Sequence, residues 1–108
     1  MDTLKKLEKN GINLKYEDIV KICNKYKLSE LAIFGSSIRD DFREDSDVDI
    51  LIAYIDIWQN DPFDFLDIKE EFELLTGRKV DIVDRDALRN PIRRETILSS
   101  REVVYAYH

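Results

Sequence analysis

Apolar residues recur along the chain at two spacings, and the alternation between them lays out a fold. Thr3 to Lys9 is short and charged and is closed by Asn10-Gly11, which predicts a helix of one or two turns and a stop. From Tyr16 to Tyr26, the residues Ile19, Ile22, Cys23 and Tyr26 recur at helical spacing, with Glu17, Asp18, Lys21 and Lys25 outward. Leu31 to Phe34 (LAIF) is an apolar run ended by Gly35, which suits a buried strand. Gly35 to Ser46 is polar and acidic, with Ser36 placed to cap a short helix. Val48 to Tyr54 (VDILIAY) reads as a second strand. Asp61-Pro62 opens a helix that stops at Thr76-Gly77. Within it Phe65, Leu66, Phe72 and Leu75 sit at helical spacing, and Asp67, Lys69, Glu70 and Glu73 face water. Lys79 to Val83 is a third strand, and Asn90-Pro91 starts another helix. Glu102 to Tyr107 is either a last strand or a tail packed on a partner. The expected class is α/β (α+β), helices on a small sheet.

Composition narrows what such a fold does. The 108 residues are expected to form one domain, 1–108, and 44% hydrophobic content is enough to bury a core. Charged residues make up 37%, with 17 basic against 23 acidic and a net charge of −6. That balance argues against direct nucleic-acid binding, which rests on an excess of Lys and Arg. The single cysteine, Cys23, excludes an intrachain disulfide and a CxxC zinc site, and its place on an apolar helix face reads as core filler. The longest apolar run, Val48 to Tyr54, is broken by Asp49 and falls far short of the ~20 residues of a membrane span. The stretch MDTLKKLEKN has no signal-peptide core, so a cytoplasmic protein without membrane attachment is expected.

The second strand carries an anomaly. Side chains alternate between faces, so Asp47, Asp49 and Leu51 point one way and Val48, Ile50 and Ile52 the other. Two carboxylates on one face repel each other, at about 4 Å and an effective dielectric near 20 by on the order of 4 kcal/mol. A cation between them relieves this, and hard oxygen donors select Mg²⁺ or Mn²⁺. Asp81, between Val80 and Ile82, joins them if the second and third strands are neighbours; otherwise it is a solvated strand residue. Upstream, Gly35-Ser36 follows directly on the LAIF strand. Such a corner offers backbone N–H groups and a hydroxyl to a phosphate, and Arg39 is placed to donate to the same anion. It is not a P-loop, since no GK[ST] follows.

The stretch IFGSSIRDDFREDSDVDILI, with ten residues between Ser36 and Asp47, resembles the signature of the DNA polymerase β nucleotidyltransferase superfamily. Ser46 and Arg39 also match residues usual in that family. One departure is Asp40, where the family commonly has Gly; it either lies near the phosphate corner or points to solvent. The short chain is similar to the minimal nucleotidyltransferases (MNT proteins) encoded beside HEPN proteins as toxin–antitoxin pairs. The resemblance implies a polymerase β-like fold, a small mixed sheet with flanking helices. It implies AMP transfer from ATP, with Asp47, Asp49 and Asp81 catalytic and holding two Mg²⁺ ions (or Mn²⁺). Gly35, Ser36, Arg39 and Ser46 would bind the nucleotide.

By the same resemblance the acceptor is a tyrosine hydroxyl on a cognate HEPN ribonuclease toxin, silenced by AMPylation in a hetero-oligomer. Alternatives are a non-catalytic antitoxin that blocks its toxin sterically, or a nucleotidyltransferase acting on a small molecule. Arg93, Arg94 and Arg101 either bind partner or nucleotide or form a solvated helix face. Trp58, Phe63 and Phe65 form either a partner patch or ordinary core. His108, the single histidine, is assigned no catalytic role.

Overall fold

A computed structural model describes residues 2–58 and 61–107; His108 lies outside the described residues. Four strands, β1 (Leu28–Phe34), β2 (Val48–Tyr54), β3 (Val80–Asp84) and β4 (Glu102–Ala106), form one sheet in the order β3-β2-β1-β4. β1 runs antiparallel to both β2 and β4, while β2 and β3 are parallel, so the sheet is mixed. The parallel step needs a crossover, and α3 (Asp64–Thr76) supplies it. The remaining helices are α1 (Asp2–Lys9), α2 (Tyr16–Lys25) and α4 (Pro91–Ser100).

Strand alternation divides the apolar residues between two faces of unequal size. The larger cluster gathers Leu31, Ile33, Val48, Ile50, Ile52, Val80 and Ile82 with Leu7, Ile12, Ile19, Ile22, Cys23, Ile68 and Phe72 from α1 to α3 and their connections. The smaller joins Ala32, Phe34, Leu51 and Val83 to Ile97 of α4, with Leu88 and Leu98 at its margin. Cys23 is buried as filler, and burial pushes its thiol up to about 12.

Local signals set most element boundaries. α3 stops at Gly77, whose φ of +67° is the left-handed conformation that glycine adopts without steric cost. Asn90 caps α4, its side-chain oxygen accepting from the N–H groups of Ile92 and Arg93. Elsewhere tertiary contacts move the boundaries. β1 starts at Leu28 rather than Leu31, because the polar Ser29-Glu30 pair is carried inside the sheet. β3 ends at Asp84, one residue past the expected strand. α3 begins at Asp64; Asp61 instead forms a turn by accepting from the N–H of Phe63. Its buried stripe is Ile68 and Phe72, whereas Leu66 and Leu75 are exposed. Glu73 does not simply face water, since its carboxylate accepts from the N–H of Val80 at 3.0 Å. The last segment is a strand paired with β1, not a loose tail.

Glu30 is buried, and a buried carboxylate needs partners. Arg101 Nε donates to it at 2.8 Å and Arg85 Nη1 at 3.1 Å, so one acid ties both flanks of α4 to β1. Removing it leaves Arg101 without a carboxylate partner and Arg85 with Asp86 alone. Glu30→Ala is expected to lower unfolding free energy by about 2–3 kcal/mol in urea titration, and Glu30→Gln by less. The figure lies under the usual ~3–5 kcal/mol because the arginine side chains stay partly exposed.

Candidate active site

The candidate residues meet at the end of the sheet where β1 finishes and β2 and β3 begin. Phe34 pairs with Asp49 across the antiparallel step, and Asp49 pairs with Asp81 across the parallel one. Adjacent strands lie about 4.8 Å apart, so the two aspartates are lateral neighbours on the face of Leu51 and Val83. Asp47 stands just before β2, exposed. The expectation that the second and third strands adjoin is met.

Gly35 turns the chain immediately after Phe34 with φ +78°, where a side chain is strained. A Cβ there would lie 3.1 Å from Asp49 Cγ and overlap the carboxylate oxygen Oδ2. Glycine is therefore required twice over, by backbone and by proximity. The following turn, Gly35–Ile38, is a 3-10 turn without a side-chain cap; Ser36 sits inside it rather than capping it. Ser36 is half-buried and Ser37 fully so, its hydroxyl without a hydrogen-bond partner among the described residues.

Electrostatics mark the same cluster. Burial first, then the charges of Asp81 and Asp47, push the Asp49 carboxyl up from 3.8 to about 6, and Arg39 and Arg93 oppose that rise. Both arginines are thus within electrostatic reach of Asp49. Arg39 is exposed and also pairs with Asp41 at 3.2 Å. Arg93 lines an open cleft of about 290 Å³ with Asp81, Phe65, Val83 and Leu88. Among the described residues no three acids, histidines or cysteines are gathered tightly enough to hold a metal ion as they stand. Uncompensated like charges favour splayed carboxylates. The donor set is nonetheless all oxygen and acidic, which fits a hard divalent cation.

The structure separates residues that the sequence left grouped. Of the three arginines, Arg101 binds Glu30 and the Leu98 carbonyl, and Arg94 donates to the Arg85 carbonyl at 2.6 Å. Only Arg93 turns toward the acids. The Ser46 hydroxyl accepts from the Arg43 N–H at 3.3 Å, closing the turn before β2. Asp40 is 98% exposed beside Lys9 and points to solvent. Phe65 packs on the core, but Trp58 and Phe63 do not: they are 87% and 73% exposed. Asn10, whose sequence signal is only that of a helix stop, reaches the Gly35 turn through its side chain.

Residues 17–107 match the family described as Polymerase beta, Nucleotidyltransferase. The protein adenylyltransferase MntA of Thermococcus cleftensis is 38% identical over 81 residues, covering 75% of this chain and 77% of that protein. A chain of a toxin–antitoxin crystal structure with AMP-PNP has a TM-score of 0.70 at 19% identity, over 87% of this chain and 75% of that one. A chain from the complex of tri-AMPylated Shewanella oneidensis HEPN toxin with MNT antitoxin gives 0.61 at 18% identity, over 85% and 70%. At those identities the two structures speak for the fold alone.

Two outcomes follow for the unliganded protein. A carboxyl raised from 3.8 to about 6 is bound to its proton more tightly in the native than in the unfolded chain. The Asp49 contribution to stability is thus fully present below pH 4, is lost as pH rises through 6, and stays lost above it. Asp49→Asn removes that penalty. It is expected to stabilise the fold above pH 6 by on the order of 1–2 kcal/mol, after solvent screening, and by nothing below pH 4, in urea titrations at each pH. Gly35→Ala is expected to cost at least about 1–2 kcal/mol from its backbone alone, read by thermal unfolding.

Proposed function

The chain belongs to the polymerase beta nucleotidyltransferase family, and from that premise we propose that it transfers AMP from ATP to a tyrosine hydroxyl of a partner protein. The partner we infer is a HEPN-type ribonuclease toxin, neutralised by the modification within a hetero-oligomer. The observation that carries this reading is the register Phe34–Asp49–Asp81, which sets a Gly-Ser turn against an acidic pair.

In the reaction the tyrosine oxygen bonds to the α-phosphorus, the bond from that phosphorus to the bridging oxygen breaks, and pyrophosphate leaves. Gly35 and Ser36 hold the triphosphate tail through backbone N–H groups and the Ser36 hydroxyl. This holds the α-phosphorus in line with the attacking oxygen. Arg39 adds a cation at the mouth of the turn. Asp47, Asp49 and Asp81 are the residues that would hold two Mg²⁺ ions, or Mn²⁺. The ions would supply charge neutralisation on the triphosphate and acidify the acceptor hydroxyl. Asp81, exposed on the open side of the pair, accepts the hydroxyl proton.

A protein acceptor is favoured over a small molecule by the surface between β2 and α3. There Ile55, Ile57, Trp58 and Phe63 are exposed, with Leu66 exposed on the first turn of α3, and exposed aromatic and aliphatic side chains in one stretch mark a protein contact. The MntA relative is named a protein adenylyltransferase, which supports the same choice.

Incubating the protein with ATP, Mg²⁺ and a HEPN partner is expected to raise the partner's intact mass by one or more AMP units. Asp47→Asn and Asp49→Asn are each expected to abolish the modification with the fold retained by circular dichroism. Undiminished modification in both variants would reject the assignment of the acids.

A further inference from the structure

The turn that faces Asp49 is a weak element on its own. It is four residues of 3-10 helix, Gly35–Ile38, entered through a positive φ and without a side-chain cap. Hydrogen bonds within so short a helix are few and poorly aligned, so its position depends on outside contacts. The carbonyls at its end have no next turn to bond to.

Asn10 supplies those contacts from the far side. Its side-chain amide donates to the Ser37 carbonyl at 2.8 Å and to the Arg39 carbonyl at 3.0 Å. Both amide hydrogens are used, and they bracket the end of the turn. The donor stands on firm ground. Asn10 N–H bonds the Leu7 carbonyl at 3.0 Å, the Ile12 N–H bonds the same carbonyl at 2.9 Å, and Leu7 and Ile12 are fully buried. Nearby cations are already engaged, Lys6 with Glu102 and Lys9 with Asp40. The end of α1 thus meets the turn itself through Asn10 hydrogen bonds to backbone, with one exposed ion pair, Lys9–Asp40, beside it. α1 and Asn10 also lie outside the residues 17–107 that match the family, so the brace is carried by a segment beyond the matched stretch.

We propose that Asn10 is a positioning residue that holds the Gly35–Arg39 backbone in the conformation that receives the triphosphate of the nucleotide. The inference rests on the nucleotide-transfer reading of the site. It acts on ground-state nucleotide binding, because the turn it holds grips the tail and not the reacting atoms.

Three variants separate this from a simple helix stop. Asn10→Ala removes the amide. Asn10→Asp keeps its size but replaces the amide nitrogen, with both its donors, by a carboxylate oxygen that would face carbonyls. Asn10→Gln keeps the amide on a longer stem. Hydrogen exchange of the amides at 35–39, Mg²⁺–AMP-PNP binding by calorimetry and steady-state AMP transfer are measured on each. The Ala and Asp variants are expected to exchange about tenfold faster at 35–39, with β1 and β2 unchanged, and to raise the ATP KM about tenfold with kcat within about threefold. The Gln variant recovers part of both. Unchanged exchange at 35–39 in both the Ala and Asp variants overturns the brace, as does an Asp variant indistinguishable from wild type in KM. If wild-type protein binds no AMP-PNP, the nucleotide reading falls, and exchange at 35–39 still decides whether Asn10 holds the turn.

Discussion

Parallel pairing of β2 with β3 places Asp49 beside Asp81, at the end of the sheet and on the face with the smaller apolar cluster. That arrangement opposes folding. Burial and two neighbouring carboxylates lift the Asp49 carboxyl to about 6, so at neutral pH the native state carries a cost of desolvation and repulsion that Arg39 and Arg93 offset only in part. The rest of the molecule is consistent with tolerating this strain. Val48, Ile50 and Ile52 bury themselves fully on the opposite face, and their packing holds the strand that presents the acids. Bound cations would relieve that cost.

The approach of the Gly35 turn belongs to the same constraint. Because Phe34 pairs with Asp49, the chain leaving β1 must bend away within one residue of a carboxylate. Only glycine has room there and accepts the positive φ. The Gly-Ser turn and the acidic pair are therefore brought together by strand register, across a single residue of connection, and not by a long flexible loop.

Charge is divided according to place. Glu30 gathers Arg85 and Arg101 at the flanks of α4, which fastens that helix across the smaller face. Arg93 is left facing the acids, where it and Arg39 offset part of the repulsion on Asp49. The acidic net charge of −6 and the exposed aromatics Trp58 and Phe63 lie outside this division. They are the surface features on which the proposal of a protein acceptor rests.

Periodicity along the chain was enough to place ten-residue α2, strand β2 and capped α4, because each rests on local signals: a helical stripe, an apolar run, an Asn-Pro start. The Gly-Ser corner and the Asp-x-Asp pair were legible for the same reason, as residues that a buried strand and its exit do not otherwise favour. What the sequence left open were matters of pairing between distant segments. Glu30 fell outside the strand expected at Leu31 to Phe34, yet two arginines from around α4 meet it inside the sheet, and Leu66 looked buried until Ile68 took the inward direction. Asn10 read as punctuation, while its amide reaches a turn 27 residues away. Among the three arginines, composition had no means of telling which one faced the acids. One-dimensional pattern thus determined most of the elements that form and marked which side chains were candidates for chemistry, because steric preference and hydrophobic spacing act locally. Strand order, register and the helix flanks decided which of those side chains meet, because contacts between segments far apart in the chain depend on how they pack.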